Sequence, residues 1–230
     1  MVHPDQIIVA LDLEDREQAR EIVTMLLPHG VAFKVGLQAY LQWGSSFVED
    51  LVGRGARVFL DLKFHDIPNT VAGAVGAART LNIWMVNLHT SAGMRAMRAA
   101  RERLDSGSGP RPILIGVTVL TSMSPEDLQE IDLPDHPGEW AVTLAARARD
   151  AGLDGVVCSA EEVARIKAAT ASDFLAVTPG IRLPSSTGDD QRRVTTPSEA
   201  VAAGSDYLVV GRPIIRAENP VEGLMAILKA

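Results

Sequence analysis

The chain has 230 residues, 47% of them hydrophobic and 22% charged, a globular composition that excludes a largely disordered chain and supplies enough length for a substantial core. Its 22 Lys and Arg against 29 Asp and Glu leave a net charge of −7, which argues against a general nucleic-acid binder or an anionic-membrane binder. A single cysteine, Cys158, leaves no internal disulfide or thiolate-rich metal site, no apolar run reaches the ~18 residues of a membrane span, and the N-terminus resembles no export leader; a soluble cytoplasmic protein is the expectation.

In chain order, the apolar run Ile7–Asp12 predicts a first strand and Arg16–Leu27 an amphipathic helix. Strands follow over Val31–Gly36 and Arg57–Lys63, then a helix over Thr70–Leu81 with Asp66 and Asn69 as candidate caps. Trp84–His89 and Ile113–Leu120 read as the fourth and fifth strands, separated by a helix over Met94–Leu104. A helix over Glu139–Ala151, closed by Gly152, leads to a strand at Gly155–Cys158 and a helix over Ala160–Ala169 capped by Ser159. Phe174–Thr178 and Tyr207–Gly211 complete the set.

Near-continuous runs such as IIVAL, ILIGVTVL and YLVV fit strands covered on both faces. Eight strand–helix units without a break predict an α/β fold, a (β/α)8 TIM barrel, with residues 1–230 as a single domain. A doubly wound open sheet uses the same elements, but no GxGxxG follows the first strand.

In such a barrel the carboxyl ends of the strands face the active site. Here those ends carry Asp12, Lys34, and the run Asp61-Leu62-Lys63-Phe64-His65-Asp66. Strand side chains alternate, so Asp61 and Lys63 share a face and Leu62 points away. Opposite charges brought together can hold one another ionised, at about 4 kcal/mol for a pair ~4 Å apart in an effective dielectric near 20. A salt-bridge network without chemistry is the competing reading for any one residue.

The distal loops suggest an anion site. Thr178-Pro179-Gly180-Ile181-Arg182 follows the seventh strand and Gly211-Arg212-Pro213-Ile214 the eighth, with Gln191 and Arg192-Arg193 between them. Glycine lets backbone N–H groups approach a phosphate, and arginine adds a planar fork. His65 and His89 read as ordinary hydrogen-bonded histidines, the three tryptophans as packing, and Thr121-Ser122 as either ligand contacts or a turn. No HxH or HExxH points to a dedicated transition-metal site.

Together these motifs resemble the orotidine 5′-phosphate decarboxylase family. DLKFHDIPNT at Asp61–Thr70 is similar to that family's DxKxxDIPNT signature, and VALD, FKVG, VTVLTS, TPGIR, DQRR and VGRPI fall in order around it. The resemblance implies a homodimer of barrels that converts orotidine 5′-monophosphate to UMP and CO2 in pyrimidine biosynthesis, without cofactor or metal. Under it Lys63 donates a proton to C6. Lys34, Asp61, Lys63 and Asp66 form a charged array, with Asp66 and Thr70 reaching the partner's site. It also implies ribose contacts from Asp12 and Lys34, pyrimidine contacts from Thr121 and Ser122, and a phosphate grip from Gln191, Gly211 and Arg212. Arg182 belongs to the substrate site, and a loop over Leu183–Asp190 closes on the ligand. A Mg-dependent sugar-phosphate enzyme and a non-catalytic phosphate-binding barrel are the alternatives.

Overall fold

Each apolar run becomes a parallel strand in the computed structural model, which describes residues 2–133, 136–183 and 195–230. Among these residues β1 (Ile7–Ala10), β2 (Ala32–Gly36), β3 (Val58–Phe64), β4 (Met85–His89), β5 (Ile113–Val117), β6 (Gly155–Val157), β7 (Leu175–Thr178) and β8 (Tyr207–Val210) close a barrel in sequence order. Closure is completed by β8 against β1, with Ile8 opposite Val209. The main covering helices are α1 (Arg16–Leu26), α2 (Leu37–Gly53), α3 (Pro68–Arg79) and α4 (Met94–Asp105). They continue as α5 (Pro125–Gln129), α6 (Pro137–Asp150), α7 (Ala160–Ala169), α8 (Pro197–Ala202), α9 (Arg212–Ile215) and α10 (Pro220–Lys229). The structure is the TIM barrel that the alternation predicts.

Period-two geometry divides the strand residues between two cores. Ile7, Val9, Phe33, Val35, Val58, Leu60, Val86 and Leu88 face outward and pack with the apolar faces of the helices. Ile8, Ala10, Ala32, Phe59, Met85, Ile115, Val177 and Val209 face inward and fill the barrel. Burying a Phe, Met or Ile side chain stabilises the fold by about 1.5–3 kcal/mol, so neither face of a strand tolerates water. That explains the absence of polar alternation in the strands. Two residues beyond this inner layer stand Lys34 (after Ala32), Asp61 (after Phe59) and Asn87 (after Met85). The apolar plug is therefore the floor beneath a polar layer.

Three sequence expectations need correction. First, β1 ends at Ala10 and β5 at Val117, short of Asp12 and Leu120. The neighbour β6 stops at Val157, whose carbonyl takes both the backbone N–H and the hydroxyl of Thr118. Second, Asp66 and Asn69 do not cap α3. The helix opens at Pro68 with Ile67 at the capping position, and Asp66 instead accepts the Ile67 N–H at 2.6 Å. Proline's fixed φ and missing N–H suit that first helical position. Third, α2 lies where the periodicity singles out no helix. Gly44 interrupts it at φ 66°, ψ −169°, a conformation open essentially to glycine, so two short helices meet at a kink. Ser159 behaves as expected, forming a capping box with Glu162.

Candidate active site

Above the apolar floor the strand ends enclose a cavity of about 530 Å³. Lys34 enters from β2, Asp61 and Lys63 from β3, and Asp12 from just beyond β1. Their charges alternate in contact: Asp12 Oδ1 to Lys34 Nζ is 3.0 Å, Lys34 Nζ to Asp61 Oδ2 is 3.4 Å, and Asp61 Oδ1 to Lys63 Nζ is 2.8 Å. Lys34 and Asp61 are only 8% and 7% exposed, so each loses most of its hydration. Burial alone would push the Lys34 ammonium down in pKa and the Asp61 carboxyl up. The ladder reverses both shifts. Asp61 and Asp12 hold Lys34 above its ordinary 10.5, while Lys34, Lys63 and Asn87 hold Asp61 below its ordinary 3.8.

Local backbone geometry aims Lys63. From Leu60 to Phe64, β3 advances four residues while β4 advances two, from Val86 to Leu88. The bulge places Lys63 at φ 51°, a left-handed conformation that costs a branched or long side chain about 1–2 kcal/mol. The Lys63 N–H, displaced from the strand ladder, donates to Asn87 Oδ1 at 2.8 Å. The Asn87 amide in turn donates through Nδ2 to Asp61 Oδ1 at 2.6 Å. Asn87 is completely buried.

The other wall comes from the last two strands, across β1 from the ladder. After β7, Gly180 turns at φ 79°, and Arg182, 7% exposed, donates from its guanidinium to the Ile181 carbonyl at 2.8 Å. After β8, Gly211 precedes Arg212, and both line the cavity with Arg182 and Arg216. Thr121 and Ser122 reach it from beyond β5. Three guanidinium groups suit a phosphate, and two hydroxyls suit a polar heterocycle. The site thus offers an anion grip and a charged ladder lining one cavity.

A family model described as "Orotidine 5'-phosphate decarboxylase / HUMPS family" matches residues 5–227. The chain belongs to this family. Curated proteins named orotidine 5′-phosphate decarboxylase from Chromobacterium violaceum and Pseudomonas aeruginosa are each 54% identical to it, over 96% of this chain and 89% and 95% of theirs. The crystal structure of orotidine 5′-phosphate decarboxylase from Lactobacillus acidophilus superposes with a TM-score of 0.84 at 38% identity, covering 97% of both chains. The span matched by the orotidine 5′-phosphate decarboxylase / HUMPS model includes every cavity residue named above.

Of the residues the sequence singles out, Asp12, Lys34, Asp61, Lys63, Thr121, Ser122, Arg182, Gly211 and Arg212 line the cavity together. Asp66 and Thr70 do not; both are exposed at the start of the α3 region. Within this chain the carboxylate beside Lys34 is Asp12, alongside Asp61, and Asp66 stands apart from the ladder. Gln191 and positions 184–190 lie outside the described residues. Sequence reasoning misses Gln38, Arg216 and Asn87. The one signal for Asn87 is an uncharged amide in the middle of a mostly apolar strand, on the same face as Met85. The His65 and His89 rings lie 5.6 Å apart between centroids, tilted by 57°, and burial, then His65 and Lys63, hold the His89 imidazole below its usual range. Cys158 is buried, at 1% exposure.

Proposed function

We propose that this chain, as a single domain, decarboxylates orotidine 5′-monophosphate to UMP and CO2, and that it works as a homodimer. The observation that carries the reading is the Asp12–Lys34–Asp61–Lys63 ladder facing an arginine-lined wall in one cavity. Phosphate at Arg212, Gly211 and Arg182, with ribose against Asp12 and Lys34, directs the pyrimidine towards Lys63, Thr121 and Ser122. Gln191 is assigned the bridge towards the phosphate.

Breaking the C6–carboxylate bond leaves its electron pair in an orbital in the ring plane, where the π-system cannot absorb it. An ammonium already fixed beside C6 stabilises that charge and then transfers its proton; Lys63 regains one from solvent. Asp61 repels the substrate carboxylate, and the repulsion ends as neutral CO2 leaves. Phosphate contacts remote from C6 contribute to rate only so far as they enforce this geometry in the transition state.

The dimer reading assigns Asp66 and Thr70 to the partner's cavity. It is supported by their exposure beside Ile67, which is 67% exposed, and by Leu37 and Leu41 on the mouth side of α2 at 52% and 81%. Apolar side chains this open beside charged ones suit a self-complementary contact.

A continuous assay of orotidine 5′-monophosphate absorbance, with and without EDTA, tests the activity. Turnover that ignores the chelator is expected. Absence of turnover, or activity that needs added Mg²⁺, overturns the reading in favour of a sugar-phosphate enzyme on the same scaffold.

A further inference from the structure

We propose that Asn87 is a positioning residue for this reaction: its side-chain amide locks the Lys63 turn to the Asp61 carboxylate and so fixes the proton donor relative to its anionic neighbour. The inference rests on the decarboxylase reading above and extends it to a residue behind the cavity lining.

The geometry closes a ring. Lys63 N–H donates to Asn87 Oδ1 at 2.8 Å, Asn87 Nδ2 donates to Asp61 Oδ1 at 2.6 Å, and Lys63 Nζ donates to the same Asp61 oxygen at 2.8 Å. One side chain must therefore accept from a backbone N–H and donate to a carboxylate. An amide has both ends, whereas an ionised carboxylate only accepts and an aliphatic side chain does neither. The turn it holds is strained, since Lys63 sits at φ 51°, and such strain persists only when surrounding contacts over-determine it. The bulge between β3 and β4 removes the usual ladder partner, so the amide of Asn87 replaces a strand hydrogen bond. Asn87 is completely buried above Met85, so no water substitutes for either contact. Loss of the amide frees Lys63 to rotate away and leaves a buried N–H unpaired.

Asn87→Asp and Asn87→Ser provide the test, beside Asp61→Asn and Thr90→Val as controls. Asn87→Asp keeps the shape but faces Asp61 with a second carboxylate. The groups around Asp61 are then Lys34 from β2, Lys63 on β3, the new carboxylate and His89 from β4, and Asp12 beyond Lys34. Two carboxylates in one site share a proton, so the acid limb of kcat against pH moves up by more than about one unit. In Asn87→Ser, kcat falls by about 100-fold while KM changes by less than about fivefold, because aim is lost and not grip. Thr90→Val removes a nearby buried hydrogen bond to the Val117 carbonyl; it is expected to lower the melting temperature without moving the acid limb. If Asn87→Asp does not fold, the kcat–KM split of Asn87→Ser decides. Parental kcat and acid limb in the Asn87 variants, with Asp61→Asn inactive, overturn the role of Asn87 alone. Normal turnover by Asp61→Asn overturns the charged-ladder reading and this inference with it.

Discussion

At the residue scale, the decisive groups are those whose hydration has been replaced by other charges. Lys63 is the most exposed of the ladder's cations and the only one placed at a strained turn. Lys63→Ala is expected to lower kcat by about 1,000-fold or more, since both charge stabilisation and proton delivery go with it. UMP affinity, read by titration, is expected to survive; retained turnover would refute the assignment. Asp61 and Lys34 set the pH window. A carboxyl held below 3.8 in the folded state contributes stability above that pH and loses it as pH falls through the folded value. An ammonium held above 10.5 contributes below that pH and loses it as pH rises through its folded value. Urea melts from about pH 5 to pH 2 should therefore lose stability less steeply in Asp61→Asn than in the parent. Equal slopes would mean that Asp61 is not the titrating group. The motif residues Asp61 and Lys63 are legible in the sequence because charge inside an apolar run is conspicuous. Asn87 is not, because an uncharged amide in a strand carries no sign of what it bridges.

At the scale of elements, strand identity was easier to read than strand length. A continuous run such as ILIGVTVL announces burial on both faces, but not that its last three residues outrun the neighbouring strand. The third helix is misjudged at its start because Asp66 and Asn69 have capping chemistry while Pro68 has the stronger claim to the first turn. Gly44 hides α2 by splitting one periodic segment into two. Glycine also marks where strands meet closely. A Cβ on Gly155 would collide with the Leu175 carbonyl, the backbone of its own β7 partner, which cannot step aside as a side-chain tip can. Gly155→Ala should lower stability by about 1–3 kcal/mol in denaturant melts. Gly53→Ala, with open space around the added methyl, should be neutral or slightly stabilising. Equal effects at the two positions would show that strand packing at β6–β7 is looser than described.

For the whole molecule, alternation and strand count carried the barrel, and the convergence of strand ends carried much of its mouth. Composition and spacing alone do not separate Asp66 and Thr70 from the cavity of their own chain; only the family resemblance, which assigns both to the partner's site, implies it. The dimer reading makes this separation testable. Chains bearing Lys63→Ala and chains bearing Asp66→Ala, inactive alone, should regain about a quarter of parental activity when mixed and allowed to exchange, because half the dimers then hold one complete site. No recovery, with exchange confirmed by native mass spectrometry, would place Asp66 outside the shared chemistry.

The plug of Phe59, Met85, Ile115, Val177 and Val209 has a consequence for how a nucleotide enters. Among the described residues it closes the barrel beneath Lys34 and Asp61, so solvent reaches them from the mouth. A ligand that stoppers that opening dries every ionised group behind it in one event, and the field between them sharpens just as the reacting carbon arrives. The hydrocarbon beneath the charges thus acts as an insulating backstop, and entry and dehydration become the same step.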